Sequence, residues 1–199
     1  DGTIGSLTNN NIATNNHRIT GNVTNNSGTF TNASGATTGD WTNSATIDNS
    51  GTMGNGRNNS GATFTNNHNV GTVTNNGRFD NTGGSTGAFT NNSTLNNSGT
   101  LASLTNTGTV TNDGTVTNGT TNTSGTINNN GTLHTVTNGG TLNNNANGQT
   151  DALTNSGTLN NSGTVASLTN SGTATNDGTI SGDISNTGGF TNNGTGGNV

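Results

Sequence analysis

The sequence predicts an all-β chain wound as a parallel β-solenoid. Three observations carry that reading: a composition too poor in apolar residues for an ordinary core, a short recurring unit, and a long internal duplication. Of the 199 residues, 46 are Thr, 45 are Asn and 34 are Gly, while Pro, Cys, Tyr, Lys and Glu are absent. Only 21% are hydrophobic and 6% charged, against about 45–50% and about 25% in an ordinary globular domain. Arg18, Arg57 and Arg78 are the only side chains of fixed positive charge, and the net charge is −5. No basic stripe for nucleic acid results. No apolar run approaches the roughly 18 residues that a membrane-spanning helix needs. Disordered chains of similar polarity are rich in charge and Pro, and this one is not. What remains is a narrow repetitive architecture in which each coil bonds its backbone to the next.

The short unit is Gly-Thr-apolar-x-Asn-x. It stands as Gly108-Thr109-Val110-Thr111-Asn112-Asp113 and begins again at Gly114-Thr115-Val116-Thr117-Asn118. Further copies begin at Gly125, Gly131, Gly157 and Gly178. Residues 94–116 and 158–180 align at an offset of 64 with 19 of 23 identities. The four differences (Leu101/Val165, Thr107/Ser171, Val110/Ala174, Val116/Ile180) are all conservative. This duplicated segment lies within a chain that reads from residue 1 to 199 as one repetitive solenoid.

Each unit reads as a strand and then a bend. In Thr-Val-Thr the apolar residue is flanked by β-branched polar ones, the period-two pattern of a half-buried strand. Asn-Asp-Gly, Asn-Ser-Gly and Asn-Asn-Gly then supply residues that tolerate positive φ for sharp bends. The 64-residue offset divides into three coils of roughly 21 residues, and stepping along Thr-apolar pairs from Ile4 through Phe30, Met53, Val73, Leu95, Val116, Val136 and Leu159 to Ile180 predicts about nine coils. Inward Val, Leu, Ile and Phe form columns between parallel strands. Phe30, Phe64, Phe89 and Phe190 all precede Thr-Asn, which suggests a shared inward position. About one Asn in three is expected in side-chain amide ladders, the rest in bends. The ladder candidates are Thr109, Val110, Asn112, Thr115, Val116, Asn118, Leu159, Val165 and Ile180.

The runs Thr105-Asn106-Thr107-Gly108-Thr109-Val110-Thr111-Asn112-Asp113-Gly114-Thr115-Val116 and Thr154-Asn155-Ser156-Gly157-Thr158-Leu159-Asn160-Asn161-Ser162-Gly163-Thr164-Val165 resemble the repeats of bacterial autotransporter and haemagglutinin-type exoprotein passengers. That resemblance covers most of the chain from about residue 51 onward. It implies a right-handed parallel β-helix displayed outside the cell, acting as an adhesin or as a stalk that holds a binding tip outward. No signal segment, secretion-domain signature or membrane barrel accompanies the repeats, so the chain reads as a mature product or as a segment of something longer.

Reactive chemistry is sparse. His17, His68 and His134 are widely separated along the chain, in no metal-ligand spacing. The eight Asp are dispersed, and Gly-Gly pairs lack the Asp of a calcium-binding nonapeptide. No catalytic residue, metal site or cofactor is expected, and the chain is not read as an enzyme. Arg57 and Arg78, one expected coil length apart, are placed on neighbouring coils near Asp80. Trp41 interrupts the repeat within Ser34 to Ala45, a stretch longer than the norm, as is Ala146 to Ala152. It is the candidate ligand contact, a carbohydrate-stacking platform, against the alternative of a packed plug over the core. Thr-apolar-Thr triplets suggest an ice-binding face, but their starts (29, 63, 72, 109, 115, 135 and 173) are not evenly spaced.

The expected role is structural: a shaft or fibre-forming segment of a secreted or cell-surface bacterial adhesin-like protein, stabilised by coil stacking and self-associating end to end or laterally. The alternative is an adhesive module recognising glycan or another cell surface, and ice binding comes third. Neither nucleic acid nor membrane insertion enters any of these readings.

Overall fold

The computed structural model describes residues 3–196, and they contain strands and turns but no helix. The chain divides into two compact units, one ending at Ala102 and the other beginning at Ser103. Each is a parallel β-solenoid with two strand-bearing sides joined by tight turns. The short side carries four-residue strands. In the first unit these are Ile12–Asn15, Thr29–Asn32, Thr46–Asn49, Thr63–Asn66, Arg78–Asn81 and Thr94–Asn97. In the second they are Thr109–Asn112, Thr126–Asn129, Thr141–Asn144, Thr158–Asn161, Thr173–Asn176 and Gly189–Asn192. The long side carries either one seven-residue strand, as in Gln149–Asn155 and Thr164–Asn170, or a broken pair such as Thr132–Leu133 and Val136–Asn138. Each unit therefore has six coils.

The observed coils are shorter and more numerous than the expected nine. On the short side Thr29 pairs with Thr46, Thr63 with Arg78 and Thr126 with Thr141. The 64-residue duplication spans four coils rather than three, because Thr94, Thr109, Thr126, Thr141 and Thr158 open successive short strands. The longer estimate has a simple origin. Each coil has three core positions, two on the long side and one on the short side, and most are filled by an apolar residue of a similar motif. From Met53 onward, the walk Met53, Val73, Leu95, Val116, Val136, Leu159, Ile180 visits these three positions of the coil in turn. Each step thus advances one coil and a third.

The columns form the core. In the second unit they run Val116, Leu133, Thr150, Val165, Ile180 and Leu104, Thr120, Val136, Leu153, Leu168 on the long side. The short side supplies Val110, Ile127, Leu142, Leu159, Ala174, and all of these are buried. Period-two alternation puts β-branched Thr on the opposite face of each strand. In this unit two inward positions depart from the apolar pattern: the buried hydroxyls of Thr120 and Thr150 have no hydrogen-bond partner.

The turns also revise an expectation. Among the described residues positive φ is confined to Gly28, Gly35, Gly61 and Gly83, and no other residue type adopts it. Most turn glycines are required by close approach instead. A Cβ on Gly125 would collide with the carbonyl oxygen of Gly108 in the preceding coil, and one on Gly140 with that of Gly125. Stacking at strand spacing, about 4.8 Å, leaves no room for a side chain there.

Candidate functional surface

The densest polar construction in either unit is internal. In Val110-Thr111-Asn112 the Asn lies two residues beyond the inward apolar residue, so the same alternation turns it inward as well. Each coil has two such Asn, one ending the long side and one ending the short side. In the first unit the columns are Asn9, Asn25, Asn43, Asn58, Asn75, Asn91 and Asn15, Asn32, Asn49, Asn66, Asn81, Asn97. In the second they are Asn106, Asn122, Asn138, Asn155, Asn170, Asn186 and Asn112, Asn129, Asn144, Asn161, Asn176, Asn192. Within each column every Nδ2 donates to the Oδ1 of the next member at 2.6–2.9 Å. The four columns together take more than half of the 45 Asn, well above the one in three expected from the sequence.

Most ladder amides also tie down the turn that follows them. Asn129 Nδ2 donates to Asn144 Oδ1 (2.8 Å) and to the carbonyl of Gly131 (3.1 Å), while its Oδ1 accepts from Asn112 Nδ2 (2.8 Å). Asn75 does the same and also accepts from the amide N–H of Gly77 at 3.2 Å. A buried amide is costly unless its donors and acceptors are met, and here one motif meets them in every coil. All the ladder donors point toward the C-terminus. Outside, the order reverses: Asn160 donates back to Asn143, and Asn143 to Asn128, each at 2.8 Å.

The residues singled out in the sequence distribute accordingly. Asn112 belongs to a buried ladder, and Val110, Val116, Leu159, Val165 and Ile180 belong to apolar columns. Thr109 and Thr115 face outward, and Asn118 lies exposed in a break of the long side. Trp41 is buried, with 3% of its surface exposed, and its indole N–H donates to the Gly54 carbonyl at 3.0 Å. Its ring lies against Gly56, where any Cβ would strike the indole. From there an aromatic file runs inward: Trp41 to Phe64 at 4.5 Å, Phe64 stacked on Phe79 at 4.8 Å, and Phe79 edge-on to Phe89 at 4.9 Å. The ring is placed as a packed residue, with no face presented to a ligand. The two stretches expected to be long loops hold the strand Trp41–Asn43 and the start of the strand Gln149–Asn155.

Arg57 and Arg78 are not stacked on one another. Arg57 pairs between Thr42 and Thr74 on the long side, whereas Arg78 is on the short side between Thr63 and Thr94. Arg78 Nε donates to Asp80 Oδ2 at 2.8 Å, and this hydrogen bond, with the attraction of the carboxylate, raises the guanidinium pKa. So exposed a pair contributes about 0–1 kcal/mol. His134 Nδ1 and Asp151 Oδ2 are 2.7 Å apart on the exposed long side. Among the described residues no three His, Cys, Asp or Glu gather as metal ligands.

The outer surface is threonine in rows. On the long side of the second unit Thr105, Thr121, Thr137, Thr154 and Thr169 are in register, one per coil, all exposed. On the short side Thr109, Thr126, Thr141, Thr158 and Thr173 form a second row. The irregular Thr-apolar-Thr spacing in the sequence conceals these rows, because the triplets fall on both sides of the coil. In the first unit the corresponding rows are interrupted by Arg57 and Arg78. No family model, curated protein or solved structure matches this chain.

Proposed function

We propose that this chain is a structural segment, a shaft or fibre-forming part of a secreted or cell-surface bacterial adhesin-like protein. The observation that supports this is the commitment of its inward side chains to coil-on-coil contact: three packed columns and two amide ladders in each unit. Its outward side chains are mostly short, uncharged Thr, Asn and Ser. Such a chain offers trypsin-like proteases three Arg and no Lys, which suits life outside the cell. Self-association follows from the ladders. Their donors all point one way, so head-to-tail stacking of copies continues them and head-to-head stacking does not. Limited proteolysis with a broad-specificity protease, paired with electron microscopy of the purified chain, tests the proposal. Protease-resistant rods or filaments are expected; rapid digestion to small peptides would refute it.

A second reading, ice binding, is favoured by the in-register Thr rows of the second unit, whose repeat along the axis is the strand spacing of about 4.8 Å. Thermal hysteresis decides it: a measurable freezing-point gap that Thr137→Lys abolishes supports this reading, and a gap of zero removes it. A glycan-binding module has less support, because the aromatic that would carry stacking, Trp41, is buried.

A further inference from the structure

The chain contains seven Asn-Gly dipeptides, at 55–56, 76–77, 118–119, 130–131, 138–139, 147–148 and 193–194. In this dipeptide the glycine amide nitrogen can attack the preceding side-chain amide, provided that the nitrogen is free to move toward it. In six of the seven it is held. Gly56 N–H donates to Thr72 O, Gly77 to Asn75 Oδ1, Gly131 to Asn112 O, Gly139 to Asn122 O, Gly148 to Asn145 O and Gly194 to Asn176 O, at 2.7–3.2 Å. Gly119 is the exception. Its carbonyl accepts from Leu104 N–H at 3.2 Å, but its own N–H has no acceptor among the described residues.

The reason lies in coil geometry. Val116 pairs with Leu133 and Thr120 with Val136, so Thr117, Asn118 and Gly119 on this coil face only His134 and Thr135 on the next. The extra residue lifts Asn118-Gly119 out of the ladder. Both are exposed, and a Cβ on Gly119 would meet nothing within 4 Å. We infer that Asn118-Gly119 is this chain's site of spontaneous backbone modification, where asparagine becomes aspartyl or isoaspartyl while the ladder-bound asparagines stay intact. In the reaction Gly119 N bonds to Asn118 Cγ as its proton passes to hydroxide, and the Cγ–Nδ2 bond breaks as Nδ2 takes a proton from water, releasing ammonia and regenerating hydroxide. One water then opens the resulting cyclic imide at either carbonyl. The products carry one new negative charge, and the isoaspartyl form adds a backbone methylene where the coil already bulges. Neither amide ladder is touched.

The test is incubation of the whole chain at mildly alkaline pH, folded and in denaturant, followed by peptide mass mapping and isoaspartate detection. In the folded protein Asn118 is expected to convert about tenfold or more faster than any of the other six, whose attacking nitrogens must first break a hydrogen bond. In denaturant that lead should vanish. Asn118→Gln should remove the fast phase and leave the six slow conversions. Another Asn-Gly reacting as fast as Asn118 in the folded chain would overturn the inference. So would a lead for Asn118 that survives unfolding, or a fast phase untouched by Asn118→Gln.

Discussion

Replacing Asn129 by Asp changes one NH2 group to an oxygen, with almost no change in volume, at a position with no exposed surface. The oxygen facing Asn112 still accepts its hydrogen bond, but the group facing Asn144 Oδ1 and the Gly131 carbonyl can no longer donate. Asn144 Oδ1 is orphaned at about 1–3 kcal/mol, while the Gly131 carbonyl keeps the N–H of Gln149, and an ionised carboxylate in that setting costs several kcal/mol more. The acid therefore resists ionising in the folded chain, so its pKa rises above the unfolded value near 3.9. With the folded state holding the proton more tightly, stability must fall as pH rises above the unfolded pKa. The slope approaches about 1.4 kcal/mol per pH unit between the two pKa values. Once protonated, the acid donates to Asn144 Oδ1 again. Unfolding free energies from urea titration should thus be several kcal/mol below the parent's at neutral pH and recover toward it near pH 4. Asn160→Asp, at an exposed Asn bonded only outward to Asn143, should stay within about 0.5 kcal/mol of the parent. Equal stabilities for the two variants at neutral pH, or no recovery of Asn129→Asp on acidification, would refute the ladder's energetic role.

Other substitutions probe the same architecture. Thr120→Val and Thr150→Val each replace an orphaned buried hydroxyl with a methyl of similar size, and each should raise stability by about 1 kcal/mol in urea unfolding. Gly125→Ala should destabilise by about 1–3 kcal/mol through collision with Gly108. Gly119→Ala, in open space and without positive φ, should be neutral or stabilise by up to about 1 kcal/mol. Trp41→Ala should destabilise by about 3–5 kcal/mol by emptying the space over Gly56, and a thermal melt indistinguishable from the parent's would contradict the ring's packed position.

The sequence makes the architecture legible and conceals its metric. Period-two alternation around Val110 or Leu159 is enough to find strands, and the absence of apolar bulk is enough to require stacking. Coil length is hidden because Thr109-Val110 on the short side and Thr115-Val116 on the long side have the same local motif, although one turn separates them. The ladders are half hidden. An Asn two residues beyond an inward Val must share its face, as Asn112 does, but an Asn before a turn glycine is equally at home in a solvated bend. The glycines mislead in a different way, since Gly125 is required by the carbonyl beneath it and not by its own φ. Trp41 is an irregularity in the sequence whose meaning rests on Gly56, its partner on the following coil, and only the register brings the two together.

The central claim, parallel coils stacked at the short offset that pairs Thr126 with Thr141, is tested most directly by disulfide trapping, which the absence of native cysteine makes clean. These two residues lie on adjacent short strands at a strand spacing of about 4.8 Å, within the roughly 4.4–6.8 Å that a disulfide spans between Cα atoms. The double substitution Thr126→Cys with Thr141→Cys should cross-link rapidly and completely under mild oxidation. Thr126→Cys with Asn147→Cys, the pairing that the longer coil expected from the sequence would bring together, should not. Cross-linking of the second pair and not the first would contradict the account.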